Sequence, residues 1–359
     1  MSKPDQMFAF IGSYAEPDQP GIYVCRYDVQ SGELELTSQI DGLKNPTFLG
    51  VDPDPNRSTL YSIAEETNPD GAKYGLAASY RIDRASGALQ LLNKESTTPA
   101  PTCHLVLDRS RRSLIVSSYH GGMIGMSPLR SDGGIGPASD IKQHTGSSVL
   151  PVQSQPRAHS VTIDCSNRFA VACDLGLDKL IVYRLDLDAC RLIPHHEAKT
   201  TPGAGPRHGV FHPSGAFFYV INELNASIIA YAYDGNQGQL SEIQTVPTLP
   251  ADYEGPNACA DIHISPDGQF LYGSNRGHDS IVAYRIDAAG GRLSYVEHSS
   301  AGGKHPRNFA ISPDGRFVLV ANRDTDNVAV FRRDEETGRL TTTGSELSVS
   351  KPVCIKFLQ

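Results

Sequence analysis

One pattern recurs six times along the chain. An apolar run closes on a turn opener such as Asp-Pro or Ser-Pro, and a second apolar run follows the reversal. A third run ends in a Tyr-Arg-x-Asp-like segment, followed by Gly-x-Leu. The clearest copies are PRNFAISPDGRFVLVANRDTDNVAVFRRDEETGRL from Pro306 and ADIHISPDGQFLYGSNRGHDSIVAYRIDAAGGRL from Ala260. Aligned on the residue five before the turn opener, the copies begin at Thr47, Cys103, His159, Arg207, Ala260 and Arg307, with spacings of 56, 56, 48, 53 and 47 residues. A unit of about 50 residues made of short strands is the mark of a propeller blade, whereas helical repeats would show an apolar period of 3.6. These runs alternate or are wholly apolar. A seventh unit is split between the ends: Pro352–Phe357 reads as a first strand, and MFAFIGSY, GIYVCRYD and GELELTSQI read as the second, third and fourth. Pairing them in one sheet removes the open edge of the ring. The expectation is an all-β, seven-bladed β-propeller of four-stranded antiparallel blades, one domain over residues 1–359, closed by its own termini.

Composition agrees with many turns and excludes several partner classes. The 33 Gly and 24 Pro supply reversals, as in SPDGRF and SPDGQF, where Pro presets φ and Asp-Gly turns the chain. No apolar run approaches the ~18 residues of a membrane helix, so no membrane partner is expected. The net charge of -8 repels a phosphate backbone, so nucleic acid is not expected either. The opening MSKPDQMFAFIGSY lacks the apolar stretch of an export signal, which predicts a cytoplasmic protein. Seven cysteines without a CxxC read as reduced, buried thiols, and twelve histidines without HExxH give no transition-metal motif. No cofactor and no metal are expected.

In a propeller the innermost strands line a channel, and equivalent positions of different blades converge at its mouth. The residue opening the first strand is His159, Arg207 and Arg307 in three copies; the residue closing the second strand is Glu65, Tyr119, Leu175, Glu223, Arg276 or Arg323. Antiparallel pairing puts both positions at one rim, with Asn222, Asn275 and Asn322 just before, and Tyr14 also near it. His104 and His208 sit one residue inside. His278 and Asp279 follow Arg276 as candidate supports, while Gly121 and Gly122 mark a tight turn and His195 and His196 a loop between blades. Rim arginines form salt bridges between blades in many folds, but several converging guanidinium forks suit an anionic carboxylate or phosphate.

The segments FIGSYAEPDQPGIYVCRYD, RAHSVTIDCSNRFAVACDLGLDKLIVYRLD, GAGPRHGVFHPSGAFFYVINEL, LYGSNRGHDSIVAYRID and HPRNFAISPDGRFVLVANRDTDNVAVF resemble the seven-bladed propeller lactonase family of 6-phosphogluconolactonases and carboxy-cis,cis-muconate cyclases. The resemblance spans nearly the whole chain. It implies a catalytic set of His159 in Ala-His-Ser-Val, Arg207 in Gly-Pro-Arg-His, Glu223 in Ile-Asn-Glu-Leu and Arg276 in Ser-Asn-Arg-Gly-His-Asp. Glu65, Arg307, Arg323, His208 and His278 are the candidate substrate-binding residues. Two departures stand out: Arg157 replaces a frequent His, and SSVLPVQSQP replaces a loop that usually carries Asn-Pro and Arg-Gln. The implied reaction is metal-independent hydrolysis of a small anionic lactone, 6-phosphogluconolactone first. Glu223 or His159 would be the base, and Arg207 and Arg276 would hold the phosphate or the oxyanion. Three rivals remain at this stage. They are a carboxymuconate cycloisomerase, a Ca²⁺-dependent lactonase using Glu65, Glu223 and Asn222 or Asn275, and a non-catalytic interaction scaffold.

Overall fold

The computed structural model describes residues 6–358. Among them are seven four-stranded antiparallel sheets, and the first is built from both ends of the chain. Its innermost strand is Pro352–Phe357, followed outward by Gln6–Ser13, Ile22–Asp28 and Leu34–Ile40. Ala9 faces Phe357, Ile11 faces Ile355 and Gly12 faces Cys354, so the termini close the ring as expected. The innermost strands of blades 2 to 7 are Leu49–Asp52, His104–Leu107, Ala158–Ile163, Pro206–Phe211, Ala258–Ile264 and Pro306–Ile311. Their second strands, such as Ser113–Ser118 and Phe217–Asn222, are buried throughout, while outer strands such as Leu34–Ile40 are mostly exposed. The apolar core lies between blades rather than in the channel.

Two signature residues of the repeat meet at those inter-blade seams. The Gly of each Gly-x-Leu turn packs on an aromatic residue at or near the start of the second strand of the preceding blade: Gly87 on Phe8, Gly238 on Phe169, Gly291 on Phe217 and Gly338 on Phe270. Gly338 has φ +75, and a Cβ built there would come within 2.2 Å of the Phe270 ring. Turn openers have an equally local role. Ser265 and Ser312 accept the amide hydrogens of Phe270 and Phe317 at 3.0 Å, and Asp164 accepts that of Phe169 at 2.9 Å. A side-chain acceptor at this position closes the hairpin in the Asp and Ser copies, whereas the His212 ring accepts the Ser214 amide within the turn instead (3.1 Å).

The innermost strands of blades 4, 5 and 7 share an irregularity that shapes the channel. Pairing slips between Ala158 and Ser160, between Pro206 and His208, and between Pro306 and Asn308. The bulged residues are His159, Arg207 and Arg307. A bulge leaves one residue unpaired and re-aims its side chain, so consecutive residues both reach the channel instead of alternating.

Two expectations need correction. His195 and His196 lie within the outer strand Arg191–Lys199, because the blade's fourth strand runs on through an irregular register at Val182 and Tyr183. The cysteines are all free, but Cys103 is only partly buried, and Cys165 is exposed in the turn between the innermost strand Ala158–Ile163 and the second strand Phe169–Asp174.

The Gly–Phe seam makes a controlled test. Gly338 and Gly344 both have positive φ (+75 and +79), but Gly344 has nothing within 4 Å. Replacing each by Ala costs similar backbone strain, so Gly338→Ala should be the less stable by about 1–3 kcal/mol of overpacking in urea unfolding. Equal losses would mean that the ring does not constrain this turn.

Candidate active site

The mouth at which the innermost strands begin holds a cavity of about 270 Å³. His159, Glu223, Arg307, Glu65, Tyr119 and Tyr14 are among the side chains that line it. The bulges and strand ends explain their convergence. His159 and Arg307 are bulged residues, Glu223 directly follows the strand ending at Asn222, and Glu65 lies near the end of the strand Thr59–Thr67.

Glu223 is the electrostatic centre. Its Oε2 receives Arg207 Nε at 2.8 Å and Arg276 Nη2 at 3.0 Å. Both arginines are buried, at 2% and 7% exposure. Their remaining donors are partly spent on backbone. Arg207 Nη1 donates to the Ala260 carbonyl, and Arg276 donates through Nε to Ala258 (3.0 Å) and through Nη2 to Cys259 (2.8 Å). Arg207 Nη2 and Arg276 Nη1 keep their hydrogens without a protein acceptor among the described residues. Burial pulls the Arg207 pKa down to about 9, with Arg276 and Arg307 adding repulsion. For Glu223, burial pushes the pKa up, but Arg276, Arg207 and Arg307 outweigh it and hold the carboxyl below its ordinary range. A carboxylate stabilised this way is a weak base and a strong positioning group.

His159 has the opposite character. Burial, then Arg207, His208, Arg307 and Arg276, push its pKa well below the ordinary histidine value, so the ring is neutral at pH 7. It packs edge-on to Tyr119 (5.7 Å) and to His208 (5.1 Å), and no hydrogen bond holds it among the described residues. Arg307 forms no ion pair there either. Its guanidinium stands over the Tyr14 ring at 5.8 Å, at the cavity wall.

The other sequence candidates are dispersed. Glu65 reaches the cavity but is engaged by Asn45 Nδ2 (3.0 Å) and Lys73 (3.4 Å). Arg323 lies in a neighbouring recess with Asp324, its Nε 2.6 Å from the carboxylate. His278 is turned toward Ser280 (2.6 Å) and the Tyr253 ring (4.7 Å). His208 sits beneath the cavity wall, bonded to Asp261 at 2.8 Å. Asn222 and Asn275 are wholly buried: Asn222 donates to Ser227 (2.9 Å), and Asn275 donates to the Thr248 carbonyl (2.7 Å). Sequence reasoning missed Asn45, for which the Asn-Pro turn signal was available, and Asp261, which stands one residue after the register position Ala260.

The departing loop is tied to the same rim. Ser148 donates to Asp178 (2.6 Å), Gln153 to the Leu175 carbonyl (2.8 Å), and the Arg157 amide to Asp174 (2.7 Å). The Arg157 guanidinium then lies over Tyr119 at 5.0 Å, above His159.

Glu223→Gln should leave two buried guanidinium groups without their counter-charge, a loss of about 3–5 kcal/mol at pH 7. Because the folded pKa is depressed, the wild-type advantage is complete above the unfolded value of about 4.3 and disappears as pH falls through the folded pKa. Urea unfolding at pH 7 and pH 3.5 measures this. A gap equal at both values would show that the carboxylate charge is not what holds the arginines.

Three comparisons bear on this arrangement. The family model described as lactonase, 7-bladed beta-propeller, matches residues 8–357. A 6-phosphogluconolactonase of Bacillus subtilis is 35% identical over 349 residues, 97% of each chain, and one of Formosa agariphila is 36% identical over 309 residues, 84% of this chain and 85% of the relative. The solved periplasmic gluconolactonase of Pseudomonas aeruginosa superposes with a TM-score of 0.91 at 34% identity, covering 99% of both chains. With its ring closed through both termini and its mouth built around Glu223 and paired arginines, the chain belongs to the seven-bladed β-propeller lactonase family and is a lactonase.

Proposed function

We propose that the protein hydrolyses 6-phosphogluconolactone at the cavity lined by His159, Glu223 and Arg307, without a metal. The observation that carries this reading is the division of labour among the arginines. Arg207 and Arg276 are committed to Glu223, which leaves Arg307 as the uncommitted guanidinium on the cavity wall, opposed to a neutral imidazole. Arg307 takes the phosphate, a task suited to a guanidinium fork. The bacterial relatives named 6-phosphogluconolactonase support this choice of lactone.

His159 is the general base. A water proton passes to its lone pair as the water oxygen bonds to the lactone carbonyl carbon. The free hydrogens of Arg207 Nη2 and Arg276 Nη1 stabilise the oxyanion. The ring C–O bond then breaks, and the imidazolium returns the proton to the departing oxygen, giving a hydroxyl and a carboxylic acid whose remaining proton, the second of the attacking water, is released to solvent to leave the carboxylate. The arginines that hold His159 neutral are themselves countered by the bound phosphate and the developing oxyanion, so the imidazole gains basicity when the proton arrives. Glu223 fixes the guanidinium groups and takes no proton.

The donor set opposes the calcium alternative. Glu223 is shared by two arginines and Glu65 is held by Asn45 and Lys73, so neither offers a free carboxylate. The cyclase alternative would require clamping two or three carboxylates, more than the uncommitted cation at the wall can neutralise. The seven free thiols, one exposed, support a reducing compartment and hence a cytoplasmic location. Among the described residues, no helix is long and apolar enough to cross a membrane.

Arg307→Ala should raise KM for 6-phosphogluconolactone about 10-fold or more, the worth of one charge-assisted contact, while changing KM for unphosphorylated gluconolactone by less than about threefold. Turnover of both should persist in EDTA. Equal effects on the two substrates would remove Arg307 from phosphate binding, and loss of turnover in EDTA would overturn the metal-free reading.

A further inference from the structure

Beneath His159, the ring of His208 turns its Nδ1 to Asp261 Oδ1 at 2.8 Å. The Asp261 carboxylate is buried and receives four donors. His208 and the Ile262 amide (3.0 Å) reach one oxygen, and His263 Nε2 (2.9 Å) and Asn308 Nδ2 reach the other. Burial pushes its pKa up, but His263 and His208 outweigh that and hold it well below the ordinary range, so Asp261 is ionised.

An ionised carboxylate has no proton to give, so the nitrogen of His208 that faces it is the donor. Burial and Arg207, only partly offset by Asp261, bring the His208 pKa down to about 4, and the ring is neutral. Its proton is therefore on Nδ1, and Nε2 is a lone pair. That Nε2 is buried without a partner. Nδ1 of His159 is also buried without a partner, in a ring whose centroid is 5.1 Å away. The two groups can satisfy one another: His208 Nε2 lacks a donor, and His159 Nδ1, without a partner of either kind, can carry the hydrogen that supplies one. His104 is the other ring within range, at 5.4 Å, but its Nδ1 already accepts the Val161 amide hydrogen (3.5 Å), and neither of its nitrogens is a buried group lacking a partner.

We propose that His208 and Asp261 are positioning residues for His159: His159 Nδ1–H donates to His208 Nε2, His208 Nδ1–H donates to Asp261, and His159 thereby turns its Nε2 lone pair to the cavity. This deepens the lactonase reading and rests on it for its kinetic consequence. When His159 takes the water proton on Nε2, the positive ring is held through Nδ1–H by a chain that ends in a fixed carboxylate. No proton leaves His159 toward His208; the one gained on Nε2 goes to the departing ring oxygen. The second oxygen of Asp261, fastened by His263 and Asn308, keeps the carboxylate from turning away.

Imidazole ¹⁵N NMR of histidine-labelled protein at pH 7 tests the chain directly, with His159→Gln assigning the His159 signals. Both His159 and His208 should be Nδ1–H tautomers in the wild type. In His208→Phe, His159 should shift toward the Nε2–H tautomer, and kcat on 6-phosphogluconolactone should fall about 100-fold with KM within threefold. His208→Gln sets an amide oxygen near the Nε2 position and should restore both the tautomer and kcat to within about tenfold of wild type. A wild-type His159 protonated on Nε2, or a tautomer indifferent to His208→Phe, overturns the proposal. The wild-type measurement does so even where the Phe variant fails to fold. Expected tautomers in a protein that opens no lactone would leave the hydrogen-bonded chain standing and reject the substrate reading instead.

Discussion

The mouth of the ring depends on one buried carboxylate shared by two guanidinium groups. Without Glu223, Arg207 and Arg276 would repel each other in a setting that screens poorly, and their strands would have to part. With it, Arg207 is fixed between the carboxylate and the Ala260 carbonyl of the next blade, and Arg276 between the carboxylate and the Ala258 and Cys259 carbonyls of its own blade's innermost strand. One acidic side chain from blade 5 thus ties that blade to blade 6. The same contact bears on His159, which burial keeps neutral with repulsion from the arginines gathered here added to it.

This clustering is possible because the channel strands are not regular. A strand that alternated strictly would present either His159 or Ser160 to the channel, not both, and likewise for Arg207 and His208. The bulges at these positions stack two layers of polar residues along the axis: an upper layer with His159, Arg207 and Arg307, and a lower one with His104, His208, Asp261 and Asn308. The upper layer meets the cavity, and the lower layer supplies its acceptors.

The repeat made the fold legible, since its spacing named the blades and its two end fragments named the closure. It also brought out the rim, because a register counted from the turn openers placed His159, Arg207, Glu223, Arg276 and Arg307 at one mouth. Pairing among those residues was not legible. Nothing in spacing distinguishes an arginine consumed by Glu223 from one free to meet a ligand, as Arg307 is, since that depends on side-chain reach across two blades. Asp261 escaped notice for a related reason: it lies one position after an alanine, where the pairing of Ala258–Ile264 slips between Cys259 and Ile262. Arg323, which shares the rim register, and His278, two residues beyond it, point elsewhere, drawn by the local partners Asp324 and Ser280.

A chain with a net charge of -8 that binds an anion needs its positive potential confined. The geometry does this by burial rather than by excess. Exposed acids are screened by physiological salt over ~8 Å, whereas Arg207 and Arg276 are buried where screening is weak. Glu223 lowers the net positive charge of the cluster to a level burial can sustain, and the remainder is concentrated at Arg307 and the free edges of Arg207 and Arg276. An anion arriving at the cavity therefore meets few positive charges, each fixed before it arrives, and little reorganisation is left for the reaction itself to bear.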